Sequence, residues 1–216
     1  MIELIHDDCL NVMKKYNDHH FDLAIVDPPY GIYQDAYREN HGRTKLAPTK
    51  KYNNILWDQQ RPNIEYFSEL KRISKNQIIF GANHLSDLFN ASSPCWIVWD
   101  KKNEKSNFSD CELAYTSFNS GIKKFSYMWN GMLQENMKNK EIRIHPTQKP
   151  VKLYEWILVN YAKKGQKILD THLGSGSIAI ACHYFGADLV GIEINKEYYK
   201  GAKKRIDELT RQESLF

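Results

Sequence analysis

Short apolar runs that stop at acids or polar turns recur along the chain, with stretches of helical spacing between many of them. "IELI" (Ile2 to Ile5) runs into Asp7 and Asp8, "CLNVMKKY" supplies an amphipathic turn or two, and "DLAIV" ends at Asp27. Tyr66, Leu70 and Ile73 share one helical face, and the strand "QIIFGA" follows them. "CWIVWD" (Cys95 to Asp100) and "CELAYTSF" (Cys111 to Phe118) read as two more strands, rich in aromatic and β-branched residues. In the last third a helix opens at Pro150 and carries Tyr154, Ile157, Leu158 and Tyr161 on one stripe until Gly165 stops it. The strand "KILD", the turn "THLGSGS", the helix "IAIACHYFG", the strand "DLVGIE" and a helix capped by Asn195 complete the pattern. Seven strand candidates interleaved with helices predict an α/β fold.

Two stretches carry no clear period. Gly31 to Gln60 is polar and, at about 30 residues, too long for a passive connection, which predicts a mobile substrate loop over 31–60. The second, residues 120–144, is basic and aromatic. From Asn119 to Lys164 nine Lys or Arg stand against three acids, a local excess of six that exceeds the +4 of the whole chain. With Phe125, Tyr127 and Trp129 interleaved among Lys123, Lys124 and Arg143, the segment predicts contact with a phosphate backbone; a solvated lysine-rich face is the plainer reading.

A length of 216 residues, with 42% hydrophobic and 26% charged, leads us to expect one globular domain over 1–216 and excludes a disordered chain. No apolar run approaches the roughly 20 residues that cross a bilayer. The first residues also lack the basic region and apolar core of a signal peptide, so a cytoplasmic location is expected. Cys9, Cys95, Cys111 and Cys182 stand singly, which predicts free thiols and neither a disulfide framework nor a metal site.

The chemistry concentrates at strand ends. "LDTHLGSGS" puts Asp170 at the end of one strand, then Gly174 and Gly176 where the backbone must turn tightly and stay bare, a junction suited to a nucleotide-like ligand. It is not the full G-x-G-x-x-G fingerprint, because Ala179 fills the last place, and no Lys-Ser/Thr pair makes it a P-loop. Glu193 ends the next strand, where a carboxylate can accept hydrogen bonds from a ribose diol. Ligands of open parallel sheets bind outside the carboxyl ends of the strands, so Asp8, Asp27, Asp170 and Glu193 are expected to share one cleft. In "DPPY" the prolines fix the angle between the Asp27 carboxylate and the Pro28 carbonyl, while Tyr30 offers a flat face. Two acceptors beside an aromatic platform suit an amino group on a planar base.

"DPPY" (Asp27 to Tyr30), "HPTQKP" (His145 to Pro150), "LDTHLGSGS" (Leu169 to Ser177) and "VGIEINKEYY" (Val190 to Tyr199), in that order, resemble the S-adenosylmethionine-dependent amino-methyltransferases of DNA, β class. The resemblance spans Glu3 to Ile206 and implies a circularly permuted, seven-stranded, mostly parallel Rossmann-like sheet with one reversed strand. It implies a catalytic Asp27-Pro28-Pro29-Tyr30 motif that transfers the cofactor's methyl group directly to the N6 amino group of a flipped adenine in double-stranded DNA. Cytosine N4 is the alternative target, and a non-catalytic DNA-binding protein that kept the fold is the alternative class. For the cofactor it implies Asp8 near the adenine, Gly174 and Gly176 near the methionine part, Glu193 on the ribose and Lys149 near the methionine carboxylate, with Cys9, Asp170, His172 and Ser177 as further cofactor-binding candidates. One departure stands out: His172 occupies the place of the family's usual phenylalanine, so an imidazole replaces an aromatic wall.

For recognition only residues 120–144 and the 31–60 loop are available, with Lys123, Lys124, Trp129 and Arg143 as candidate contacts and a core position as the equal alternative for Trp129. So small a reading surface implies a short site, loose specificity, or a homodimer that supplies the missing contacts. The tail "RQESLF", with Gln212, Leu215 and Phe216, resembles the peptides by which bacterial DNA enzymes dock on the sliding clamp; packing against its own domain is the alternative.

Overall fold

The computed structural model describes residues 1–31, 61–103, 109–130 and 133–211. All of the expected substrate loop except Gly31, and the proposed clamp-docking tail Gln212 to Phe216, lie outside the described residues.

Ten strands and five helices follow in chain order among the described residues: β1 (Ile2–Ile5), α1 (Cys9–Met13), β2 (Phe21–Val26), α2 (Ile64–Ile73), β3 (Ser74–Phe80), β4 (Trp96–Asp100), β5 (Cys111–Thr116), β6 (Lys123–Ser126), β7 (Trp129–Asn130), β8 (Leu133–Gln134), α3 (Val151–Tyr161), β9 (Lys167–Asp170), α4 (Ser177–Phe185), β10 (Asp188–Ile192) and α5 (Lys196–Thr210). Local chemistry explains the helix starts. Asn63 accepts from the Tyr66 amide at 2.9 Å to open α2, and Asn195 accepts from the amides of Glu197 and Tyr198 to open α5. Ser74 ends α2 and begins β3 without a loop, its hydroxyl bonded to the Leu70 carbonyl.

Eight strands form one sheet in the order β1-β10-β9-β2-β3-β5-β4-β6. All neighbours run parallel except that β5 is antiparallel to both β3 and β4, so β5 is the one reversed strand. Seven of these strands are those expected from the apolar pattern, in the permuted order. The eighth, β6, and the small β7–β8 ribbon arise within residues 120–144, where no period was legible. Along β2, Leu23 and Ile25 join a core shared with Leu153 and Ile157 of α3 and Ile178 of α4, whereas Ala24 and Val26 join one shared with Tyr66 and Leu70 of α2. Burial on both faces is what a parallel strand requires, and it accounts for the nearly continuous apolar run.

From β9 the chain winds outward through β10, and from β2 it winds the opposite way through β3. The reversal point lies between β9 and β2, where a crevice opens at the carboxyl ends of an α/β sheet. No helix among the described residues is long and apolar enough to cross a membrane.

Candidate active site

The four expected carboxylates follow four adjacent parallel strands: Asp8 after β1, Glu193 after β10, Asp170 at the end of β9 and Asp27 after β2. Strand order alone therefore lines them along one edge of the sheet.

On the β9–β10 side the backbone is shaped by glycine. Gly174 has φ +53°, a conformation that favours glycine, and the His145 ring faces it at ordinary contact distance, 3.7 Å from where a Cβ would stand. Gly176 has φ +73°, and a Cβ would stand 2.8 Å from Ile206 Cδ1; this glycine lets α5 pack closely. Glu193 Oε2 accepts the Gly174 amide at 2.9 Å and Oε1 accepts the Asn195 amide at 2.9 Å. Each oxygen keeps a second lone pair, so the carboxylate can still receive a diol. Asp8 caps α1 through the Asn11 amide, and burial pushes the Cys9 thiol up to about 12, which keeps it protonated. Ser177 is placed differently from its expected role beside a cofactor. It is buried, with its hydroxyl held by Arg205 of α5 at 3.0 Å and by Ser175 at 3.1 Å.

Asp170 is buried with Oδ1 accepting the His172 amide at 3.0 Å. Burial, partly offset by that hydrogen bond and reinforced by Asp27 and Glu193, pushes its carboxyl up to about 8. Next to it runs a chain the sequence did not disclose: Tyr66 hydroxyl to Thr171 Oγ1 at 2.6 Å, then Thr171 Oγ1 to His172 Nδ1 at 2.9 Å. Burial lowers His172 to about 4 against the pull of Asp8, so the imidazole is neutral near pH 7. A neutral ring in place of the family's aromatic wall adds no positive charge to oppose a sulfonium. A left-handed glycine turn, a carboxylate with acceptor capacity and an uncharged imidazole together fit S-adenosylmethionine.

On the β2 side, Asp27 is the centre of a buried cluster. Its Oδ1 accepts from the Tyr30 hydroxyl and its Oδ2 from the Lys149 ammonium at 2.5 Å. The Tyr30 ring stacks on His84 at 5.4 Å and lies over Gly81. Burial first, then the Asp27 charge, holds its phenol well above the usual value, so it remains the donor. Lys149 was expected beside a methionine carboxylate; its ammonium is paired instead with Asp27 and with Glu112, whose Oε2 stands 3.2 Å away. That Oε2 has no aligned hydrogen-bond partner among the described residues, so the contact is a charge pair, while Oε1 accepts from Lys101. Glu112 reaches this edge because β5 is reversed and presents its first residues where the other strands present their last. Burial would raise its carboxyl, but Lys149 and Lys101 hold it at about 2. A lone acid in the apolar run "CELAYT" was the signal in the sequence.

The candidate DNA contacts divide. Lys123 and Lys124 are exposed on the edge strand β6, bonded to Asn160 at 3.2 Å and to Asp100 at 3.0 Å. Four strand spacings separate β6 from β2, about 19 Å. Trp129 is a correction to the surface reading: it is 6% exposed and its indole N–H donates to the Gln148 carbonyl at 2.7 Å. Arg143 covers the Trp129 ring at 5.6 Å and donates to the Pro146 carbonyl at 2.9 Å. Both residues pin "HPTQKP", and with it Lys149. Phe125 and Tyr127 turn inward to pack against the core, so the lysines and the aromatics do not form one face.

A permuted α/β sheet with a glycine turn, an acid on the adjoining strand and "DPPY" across the crevice defines the class of Rossmann-like methyltransferases. The model of the family N6_N4_Mtase, DNA methylase, matches residues 95–204, about half the chain, and the protein belongs to that family. It is a DNA methyltransferase that acts on a base, with S-adenosylmethionine as cofactor. It is 28% identical over 242 residues to the type II methyltransferase M2.DpnII of Streptococcus pneumoniae, covering 94% of this chain and 89% of that one. To M.HpaI of Haemophilus parainfluenzae it is 26% identical over 238 residues, covering 94% and 74%. Among solved structures, M1.HpyAVI in complex with SAM superposes with a TM-score of 0.60 at 22% identity, covering 95% of this chain and all of that one. The cytosine-N4-specific PvuII DNA methyltransferase superposes with a TM-score of 0.57 at 12% identity, covering 97% and 91%.

Proposed function

We propose that the chain methylates the N6 amino group of adenine in DNA by direct in-line transfer, and that it belongs to the β class. The observation that carries this reading is the position of Asp27. It stands at the carboxyl end of β2, next to Asp170 across the reversal point, with the Gly174 turn and Glu193 on the far side.

An adenine amino lone pair is delocalised into the ring and is a poor nucleophile. Hydrogen bonds from that amino group to Asp27 and to the Pro28 carbonyl would draw the nitrogen toward a tetrahedral geometry as it attacks. S-adenosylmethionine supplies a methyl group on a sulfonium, and Gly174, Glu193 and the His172 ring would hold it. Asp27 acts by orientation and charge: it aligns the nitrogen and stabilises the positive charge that builds there as the new C–N bond forms and the C–S bond breaks, and the extra proton leaves the methylated nitrogen afterwards. The target lies inside a duplex and must be flipped out to be reached, with Tyr30 as the ring it stacks on. Tyr30 now donates to Asp27, so the incoming amino group takes over that oxygen. The acid in "DPPY" favours adenine over cytosine N4, where a serine form of the motif is more usual. Lys123 and Lys124 would contact backbone phosphate away from the flipped base.

Incubation with labelled S-adenosylmethionine and unmethylated DNA, followed by nucleoside mass analysis, tests the reading. N6-methyladenine is expected, and N4-methylcytosine would overturn the assignment of the base. Asp27→Ala is expected to lose roughly 100- to 1000-fold in turnover while still binding cofactor; full turnover would overturn the mechanism.

A further inference from the structure

Lys149 is 5% exposed and lies at the junction of three elements: Asp27 at the end of β2, Glu112 near the start of the reversed β5, and the Phe80 ring at the end of β3, 4.7 Å from its ammonium. A buried ammonium with two carboxylate partners is fixed in position as well as compensated. Glu112 is itself anchored on its other oxygen by Lys101 of the neighbouring segment. The order Lys101, Glu112, Lys149, Asp27 is a row of alternating charge along the carboxyl edge of the sheet.

We propose that Glu112 is a positioning residue for methyl transfer: it holds the Lys149 ammonium on Asp27 Oδ2, so that Oδ1 alone is presented to the target amino group. This deepens the reading of Asp27 given above and rests on it. Two features of the cluster carry it. The two oxygens of Asp27 have different partners, a fixed ammonium on Oδ2 and the hydroxyl of Tyr30 on Oδ1. The Tyr30 hydroxyl can turn its proton away from Asp27 when a base enters, with the ring left in place, whereas a lysine held between two carboxylates keeps its charge on Oδ2. Without Glu112 the ammonium has one carboxylate and is free to follow it, so the Asp27 carboxylate can rotate about its Cβ–Cγ bond and lose the angle set by the prolines.

The ionisable groups around the Lys149 ammonium are Asp27, Glu112 with Lys101 behind it, Asp170 at the end of β9, and the phenols of Tyr30 and Tyr154. Burial opposes its charge, but Asp27 and Glu112 outweigh burial and raise its pKa. Loss of the Glu112 charge therefore lowers the pH at which Lys149 gives up its proton.

The test is E112Q, compared with E112D, D27N and the unsubstituted chain. For E112Q we expect kcat to fall on the order of 10-fold with KM for DNA and calorimetric affinity for S-adenosylmethionine unchanged. Above the pH range in which Asp170 titrates, the alkaline limb of its kcat profile should move to lower pH. E112D, which keeps the charge, should restore that limb. An unmoved limb in E112Q, or a loss of cofactor affinity equal to the loss of turnover, overturns the proposal. D27N separates the two levels: if it keeps full turnover, the role of Asp27 fails and this inference with it; if it is inactive while E112Q keeps the limb, only this inference fails. If E112Q does not fold, E112D decides: its shorter side chain keeps the charge but draws it back from the Lys149 ammonium, so kcat should fall with KM for DNA unchanged, and full turnover overturns the proposal.

Discussion

The ring of Tyr30 lies directly on Gly81: a Cβ added to Gly81 would stand 2.0 Å from Tyr30 Cε1 and 2.2 Å from Cζ. Gly81 follows β3 directly and has φ +63°, so the chain turns there in a conformation that favours glycine and the missing side chain makes room for the ring. Gly81→Ala should displace Tyr30 from Asp27. We expect a stability loss of about 1–3 kcal/mol in urea denaturation. Turnover should fall by more than that loss explains, measured well below the unfolding midpoint.

Thr171 joins the Tyr66 hydroxyl to the His172 ring, and Tyr66 is only 2% exposed. Thr171→Val preserves volume and orphans a buried phenol, at an expected cost of about 1–3 kcal/mol. Adding Tyr66→Phe removes the orphan, so the double variant should be more stable than Thr171→Val alone. Denaturation of the three variants side by side checks the order.

Asp170 and His172 give stability a definite pH dependence. Asp170 titrates at about 8 folded against 3.8 ordinarily, so between these values the folded chain holds a proton that the unfolded chain has lost. Its contribution is fully present below 3.8 and is lost as pH rises through 8. His172 titrates at about 4 against 6.5, so the unfolded chain holds the extra proton between them and stability rises with pH over that span. The two slopes oppose each other up to pH 6.5. Above it the Asp170 slope remains, at most about 1.4 kcal/mol per pH unit. Asp170→Asn should flatten the stability curve between pH 6.5 and 8, measured by denaturation at four pH values.

Lys123 and Lys124 stand on the far edge of the sheet from Asp27 and touch no part of the crevice described above. If they meet phosphate, replacing both with Ala should lower the slope of log affinity against log salt by about 1 to 2 without changing which base is methylated. An unchanged slope would assign them to a solvated face.

Much of this architecture was legible because it is local. Apolar runs marked seven of the strands, Asn195 marked a helix start, and the acids that close β2 and β9 marked the edge where the crevice lies. β6 escaped notice because it reads "KKFS" at the rim, with one half-buried residue and no alternation to detect. Trp129 was ambiguous for a different reason: a tryptophan among lysines has the same composition whether its ring faces DNA or props up "HPTQKP". The pairing of Lys149 with Asp27 spans 122 residues, and its extension to Glu112 depends on one strand running backwards. Spacing cannot show that. Only the unexplained acid in an apolar strand hinted at it.

At the middle of the sheet Leu23 pairs with Ile168, and beside them the Lys167 amide bonds Asp22 across 145 residues of chain. Ribosomes deliver β2 long before β9, so the half that carries Asp27 emerges while its neighbouring strand is still unmade. During that interval β2 has an open, apolar edge, the kind of surface on which partly made chains associate wrongly. Parallel pairing over such a separation is also slow to nucleate. The permuted order of motifs therefore sets a demand on biogenesis: the last quarter of the chain completes the centre of the sheet.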